Sequence, residues 1–340
     1  MSLVPTIRFK PFSRASGTMC LLPGSHLVFQ CFMEFICVFD YSGEESHLIA
    51  AVRFPDLGPL EKFCVMQDHE KEKIIVSGIS GKGFIRYEIT PTEDPRSWQL
   101  FFDKVPETLT LSVVKKDDRE LQETHVVHAK SPLAFFYKDV ASKPRQRGTK
   151  ARLFLGVDKS QDWDMVARRA HLAEILPFWF SLAQTLPEIV YTPDPGPSLL
   201  QAGEFTALFQ AAFSHMLVPR LVDTSFHGYA LGVVQNTNRC PLTLFPELFS
   251  QIRSLFFKER EHVWEIPKPQ FVSGTFSNYT TQKGHTISLE WTKGMIRRML
   301  ILPSCDDTVE LHLQKEVQRP KAPTLKLQQG QSILLDNFLK

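Results

Sequence analysis

The sequence predicts an α+β protein with an N-terminal antiparallel β-sandwich, a central helical region and a C-terminal antiparallel β meander. Three observations carry that class. From Thr6 to about Gly156 short apolar runs alternate with turn residues, the pattern of many short strands in a sandwich or a strongly curved sheet. From Ser160 apolar residues recur at three- and four-residue steps, the period of one buried helix face. From Phe271 strict alternation returns, as in Thr286-Ile287-Ser288-Leu289-Glu290-Trp291, giving each strand one apolar face. The expected boundaries are 1–157 for the sandwich, 158–266 for the helical region, 267–318 for the C-terminal β unit and 319–340 for a tail.

The elements follow in order. Leu27 to Phe39 is the most apolar stretch and reads as one core strand buried on both faces, with room for a bulge. Tyr41-Ser42-Gly43 turns the chain into Leu48–Val52. Lys73–Ser77 and Phe84–Ile89 flank a glycine-punctuated hairpin, Gly78-Ile79-Ser80-Gly81-Lys82-Gly83. Trp98–Phe102, Thr108–Val113, Thr124–Ala129 and Leu133–Tyr137 are further strands, and Ser142–Lys150 is a basic, Pro- and Gly-containing linker. Arg152–Val157 adds one last strand to this region.

Asp162 and Asp164 place negative charge in a first helical turn, where the helix dipole favours it, and Trp163, Val166, Ala170 and Ala173 mark its buried face. Phe178-Trp179-Phe180-Ser181-Leu182 is apolar almost all round and belongs deep in the structure, with Pro177 kinking or dividing the helix. Pro187 and Pro193–Pro197 end it. A second helix starts at Ser198, and a third spans Phe245–Phe257 with Leu248, Ile252, Leu255 and Phe256 on one face. Asp223–Pro241 has no clean period and reads as loop with short elements. In the β meander Thr292-Lys293-Gly294 is a turn, Ile296–Leu302 runs back, and Val309, Leu311 and Leu313 alternate with polar residues. In the tail, Lys321–Gln331 is expected to be loosely held, while Ile333-Leu334-Leu335 docks on the body or on a partner.

The length of 340 residues suits about two domains. Lys and Arg number 39 against 37 Asp and Glu, a net charge of +2, which argues against a dedicated nucleic-acid binder. Gln30 and Glu34 interrupt the longest apolar run, too soon for a membrane span of about 20 residues. The N-terminus lacks a basic, apolar and small-residue leader pattern, so a cytoplasmic chain is expected. Six cysteines, none in a C-x-x-C pair, build neither a zinc knuckle nor a disulfide framework and fit a reducing compartment. No metal and no cofactor is expected.

Several motifs bear on chemistry. Asp162-Trp163-Asp164 has the D-x-D form with which some glycosyltransferases hold a divalent cation and a diphosphate. The same acids serve a helix N-terminus, and the strands before them lack the βαβ alternation of a nucleotide-binding fold. Gly78-x-x-Gly81-Lys82-Gly83 lacks the spacing of a phosphate loop. His125 and His128, three apart on a strand, fall on opposite faces. No G-x-S-x-G is present. The most site-like stretch is Asp223-Thr224-Ser225-Phe226-His227-Gly228-Tyr229, which gathers acid, imidazole, hydroxyl and aromatic groups in a loop. Turn capping by Asp223 and Ser225 is its bland alternative. A ligand surface is expected where Asp223, His227 and Tyr229 meet Trp163 and Arg168.

The stretch Gly284-His285-Thr286-Ile287-Ser288-Leu289-Glu290-Trp291-Thr292-Lys293-Gly294 resembles a "G…W-x-x-G" hairpin of C-terminal β-domains in glycoside hydrolases with an (α/α)₆ barrel. The layout of sandwich, basic linker, helices and β unit is similar to theirs. Such a barrel needs twelve helices, and Ser160–Glu261 holds about six of average length. The resemblance therefore implies a shared architecture without most of the catalytic barrel, and it assigns no catalytic residue. The expected function is that of a non-catalytic binding or interaction protein whose partner is a carbohydrate or an acidic protein. The alternative is a sugar-active enzyme, either a reduced glycoside hydrolase relative or a metal-dependent glycosyltransferase.

Overall fold

A computed structural model describes residues 10–43, 46–94, 97–106, 109–115, 122–136, 150–156, 172–186, 242, 244–313 and 324–336. These residues form mostly antiparallel β-sheet with two helices. In chain order the first strands are β1 (Phe12–Ser13), β2 (Thr18–Leu21), β3 (Leu27–Cys31), β4 (Phe35–Asp40), β5 (His47–Arg53) and β6 (Glu61–Asp68). β7 (Lys73–Ser80), β8 (Gly83–Pro91), β9 (Ser97–Lys104), β10 (Leu109–Lys115), β11 (Gln122–Val127) and β12 (Pro132–Phe136) follow. They make two six-stranded sheets, ordered β1-β6-β7-β8-β9-β12 and β11-β10-β5-β4-β3-β2.

Alternation decides which face turns inward. On β8 the side chains of Ile85, Tyr87 and Ile89 are buried, as are Trp98, Leu100 and Phe102 on β9, because successive strand side chains point to opposite faces. The opposing sheet contributes Phe29 of β3, which meets Trp98 edge-on at 4.9 Å. Phe135 of β12 stacks on the same indole at 4.3 Å. Phe54, just after β5, closes on Tyr87 at 5.5 Å and on Phe102 at 6.3 Å. The two sheets thus share one aromatic core.

The apolar run from Leu27 to Phe39 is not one strand. It is a hairpin, with Cys31 paired to Ile36 and the Phe32 N–H donating to the Phe35 carbonyl at 2.9 Å. Met33 and Glu34, which make this turn, are not turn-forming residue types and neither has a positive φ. An unbroken apolar run conceals such a turn, because both arms carry apolar residues on both faces. Ile36 and Val38 point into the core while Phe35, Cys37 and Phe39 keep partial exposure. The Gly78–Gly83 stretch is a hairpin as expected: Ser80 pairs with Gly83, and the Ser80 hydroxyl accepts the Lys82 N–H at 3.1 Å.

The remaining elements are β13 (Arg152–Leu155), α1 (Leu172–Thr185), α2 (Leu244–Ser254), β14 (Lys258–Arg260), β15 (Val263–Glu265), β16 (Ser273–Thr280) and β17 (Thr286–Thr292). Then come β18 (Met295–Leu302), β19 (Asp307–His312), β20 (Thr324–Leu327) and β21 (Ile333–Leu335). Their sheets run β13-β16-β17-β18-β21 and β14-β15-β19-β20. β13, expected as a last strand of the N-terminal region, pairs with β16 instead. Alternation tells a strand which face to bury but not which strand to join. β14 and β15 fall in the stretch expected to be helical, and β15 runs parallel to β19. In the tail, β20 pairs with β19 across a segment expected to be loose, and the apolar Ile333–Leu335 docks on β18.

Pro177 lies inside α1 without dividing it. A proline in a helix interior costs about 3 kcal/mol, and burial of both sides of this helix offsets that. Phe178, Trp179, Phe180 and Leu182 are all fully buried. Phe180 stacks on Phe249 of α2 at 4.8 Å and meets Phe276 of β16 at 5.5 Å. Phe256, just past α2, stacks on Trp291 of β17 at 5.3 Å. That close layer requires Gly274: a Cβ there would stand 2.3 Å from the Trp291 ring and 2.6 Å from the Phe154 carbonyl oxygen.

Candidate functional site

The surface expected from sequence, Trp163, Arg168, Asp223, His227 and Tyr229, lies outside the described residues, as do Asp162 and Asp164. Of the other histidines weighed, His125 is on β11 beside Glu123 at 3.6 Å, and His128 follows the end of that strand. The described residues concentrate polar chemistry in two other places.

The first is built on turns of the C-terminal sheets. His285 lies one residue before β17, in phase with Ile287, Leu289 and Trp291, so the pleat sends its imidazole inward. Asp307 opens β19 in phase with Val309 and Leu311. A fully buried imidazole needs partners, and this one has them. Its Nδ1 accepts the Ser304 N–H at 3.2 Å, so the proton sits on Nε2, which donates to Asp307 Oδ2 at 3.3 Å. The Cys305 thiol also approaches Nε2, at 4.0 Å. Lys283 places its ammonium 2.8 and 2.9 Å from the two Asp307 oxygens and 3.4 Å from His262 Nδ1. Burial alone would raise the Asp307 carboxyl, but hydrogen bonds from Lys283, the Thr308 backbone and His285 together hold it below the usual carboxylate range.

Cysteine, histidine and aspartate side by side suggest a nucleophile triad. In a working triad the acid orients one ring nitrogen and the nucleophile meets the other. Here Asp307 and Cys305 converge on the same nitrogen, and the opposite one is occupied by a backbone N–H. The imidazole therefore has no free nitrogen through which to relay a proton. What the arrangement does is tie together turns: His262 between β14 and β15, Lys283 and His285 between β16 and β17, and Ser304 and Cys305 between β18 and β19. Asp306 adds the β20–β21 turn by accepting the Gln329 N–H at 2.7 Å.

The second place is the turn between β6 and β7. The Asp68 carboxylate accepts the Lys71 N–H at 3.2 Å and the Lys10 ammonium at 2.7 Å. Burial would raise this carboxyl, yet those two donors hold it low. His69, 4% exposed, reaches α1, where its Nε2 meets the Ser181 hydroxyl at 2.8 Å and its ring meets Phe178 edge-on at 5.9 Å. Flanking ion pairs join Glu70 to Arg152 at 3.3 Å and Glu72 to Lys150 at 3.5 Å. One turn of the N-terminal sheets is thus plugged onto the helix and strand that begin the C-terminal part.

Compared with protein-family models and with curated proteins, the chain matches none. Among the described residues no group of three or more His, Cys, Asp or Glu side chains is placed to hold a metal ion. No helix among them is long and apolar enough to cross a membrane.

The His285 cluster had a signal in the sequence: His285 and Asp307 each occupy the apolar phase of an alternating strand, where a polar residue must find a buried partner. The His69 contact had none, because its partner Ser181 is 112 residues away.

Proposed function

We propose that this chain is a non-catalytic binding or interaction protein, with an N-terminal β-sandwich, a central helical region and a C-terminal β meander as its parts. The observation that carries this reading is the wiring of His285. Among the described residues, the cluster that brings Cys, His and Asp together spends both imidazole nitrogens on holding turns together. The ligand class is a carbohydrate or an acidic protein partner, with Asp223, His227, Tyr229, Trp163 and Arg168 as its expected contacts. The glycan part of the proposal rests on the resemblance of Gly284–Gly294 to the hairpin of barrel-type glycoside hydrolases. A cytoplasmic setting is part of the proposal and is supported by free Cys20, Cys31, Cys37, Cys64 and Cys305.

The test is a thermal-shift series on the full chain with glycans, with an acidic peptide, and with nucleotide-sugars in the presence and absence of Mn²⁺. A ligand at 100 times its Kd adds about 2.7 kcal/mol, a shift of a few degrees. A shift with a glycan or the acidic peptide that is lost in Asp223→Ala/His227→Ala, with the ligand-free midpoint unchanged, is the expected result. A shift that requires Mn²⁺ and vanishes in Asp164→Asn would replace this reading with a glycosyltransferase.

A further inference from the structure

We infer that the β6–β7 turn and α1 form an acid-released latch, in which protonation of His69 undocks the N-terminal sheets from the helix. His69 is inserted between the turn and α1, with Nε2 held by the Ser181 hydroxyl and the ring against Phe178. Its other nitrogen, Nδ1, is buried without a hydrogen-bond partner among the described residues. The neutral imidazole tolerates this by leaving a lone pair there. The imidazolium cannot, because its second N–H would be buried with no acceptor among the described residues.

The charges facing the ring come from each side of the junction. Lys150 opposes a positive imidazole, whereas Glu72 and Asp68 favour one. Asp68 is already engaged by Lys10, and Glu72 by Lys150. The remaining ion pair of the junction, Glu70 with Arg152, is exposed enough to be screened by salt. Burial first and Lys150 second push the imidazole down to about 4. Once undocked, the ring returns to the ordinary histidine value near 6.5. Between those values the open form takes up a proton that the closed form refuses, so acid favours opening. At pH 5 the open population rises roughly 30-fold over its value at pH 7.5.

Hydrogen exchange on the full chain between pH 7.5 and 5, corrected for the intrinsic pH dependence of exchange, reads this opening. The Glu72 amide and the last turn of α1, Leu182–Thr185, should open roughly 30-fold more often at pH 5. The amides paired between β7 and β8, such as Val76 and Tyr87, should not change. His69→Gln, which keeps a donor for Ser181 but cannot titrate, should abolish the response. A His69 ring that titrates near 6.5 in the folded chain, exchange at the turn and helix that is unchanged at pH 5, or an acid response that persists in His69→Gln each overturns the latch. If His69→Gln does not fold, the imidazole titration and exchange of the natural chain decide alone.

Discussion

The Asp307 carboxylate accepts from His285 and Lys283 together. Removing it strands the buried Nε2–H of His285. A buried donor left without its acceptor costs about 1–3 kcal/mol. Asp307→Ala should therefore lower stability by about that amount in urea unfolding, while Lys283→Ala, which removes only a partly exposed partner, should cost about 1 kcal/mol or less. Equal losses would mean that the ammonium, rather than the imidazole, is the partner that matters. The residue scale also marks what could be read in advance. The inward phase of His285 is visible in Gly284–Gly294, but the direction of its nitrogens is set by Ser304 and Asp307, which lie on and just past another turn.

Among the elements, β21 is three residues long, yet it occupies the outer edge of β18 by pairing Ile333, Leu334 and Leu335 with Ile301, Leu300 and Met299. Without it, an eight-residue strand rich in Met, Ile and Leu becomes an open edge, and such an edge templates pairing with other chains. A chain ending at Gln331 should elute as higher oligomers in size-exclusion chromatography, and Leu334→Lys in the full chain should not, since Leu334 is mostly exposed. A monomeric truncation would show that β18 is protected without β21. Element identity was largely legible where alternation or a 3.6-residue period was clean, as in β16–β18 and α2. It failed where the apolar run was continuous. Leu27–Phe39 hid a hairpin because no glycine, proline or asparagine marks Met33-Glu34, and β14 and β15 are too short to show any period.

Across the whole molecule, three shifted groups act in one direction. The folded pKa of His69 is depressed to about 4 from an unfolded value near 6.5. Its contribution is complete above 6.5 and is lost as pH falls toward 4, a difference of about 3 kcal/mol. Asp68 and Asp307 are also held low, so in the same sense the unfolded chain binds more protons as pH falls below the ordinary carboxylate range. Urea midpoints at pH 7, 5 and 3 should fall in two stages, and His69→Gln should remove the first while leaving the second. A single-stage fall in the natural chain would mean that the junction contributes nothing to global stability. None of this was legible in the sequence, because each shift arises from groups that meet only after folding: Lys10 with Asp68, Ser181 with His69, Lys283 with Asp307.

The partnership of β13 with β16 has a consequence in time. Arg152 sits opposite Ser277, 125 residues later. On a ribosome adding about 5–20 residues per second, Leu153 and Leu155 emerge roughly 6–25 s before the strand whose backbone will pair with theirs. Throughout that interval the N-terminal sheets can already be complete, since all of their described strands lie between Phe12 and Phe136. The nascent chain therefore carries a finished body followed by a strand whose backbone edge is still open, the kind of segment on which a chaperone acts.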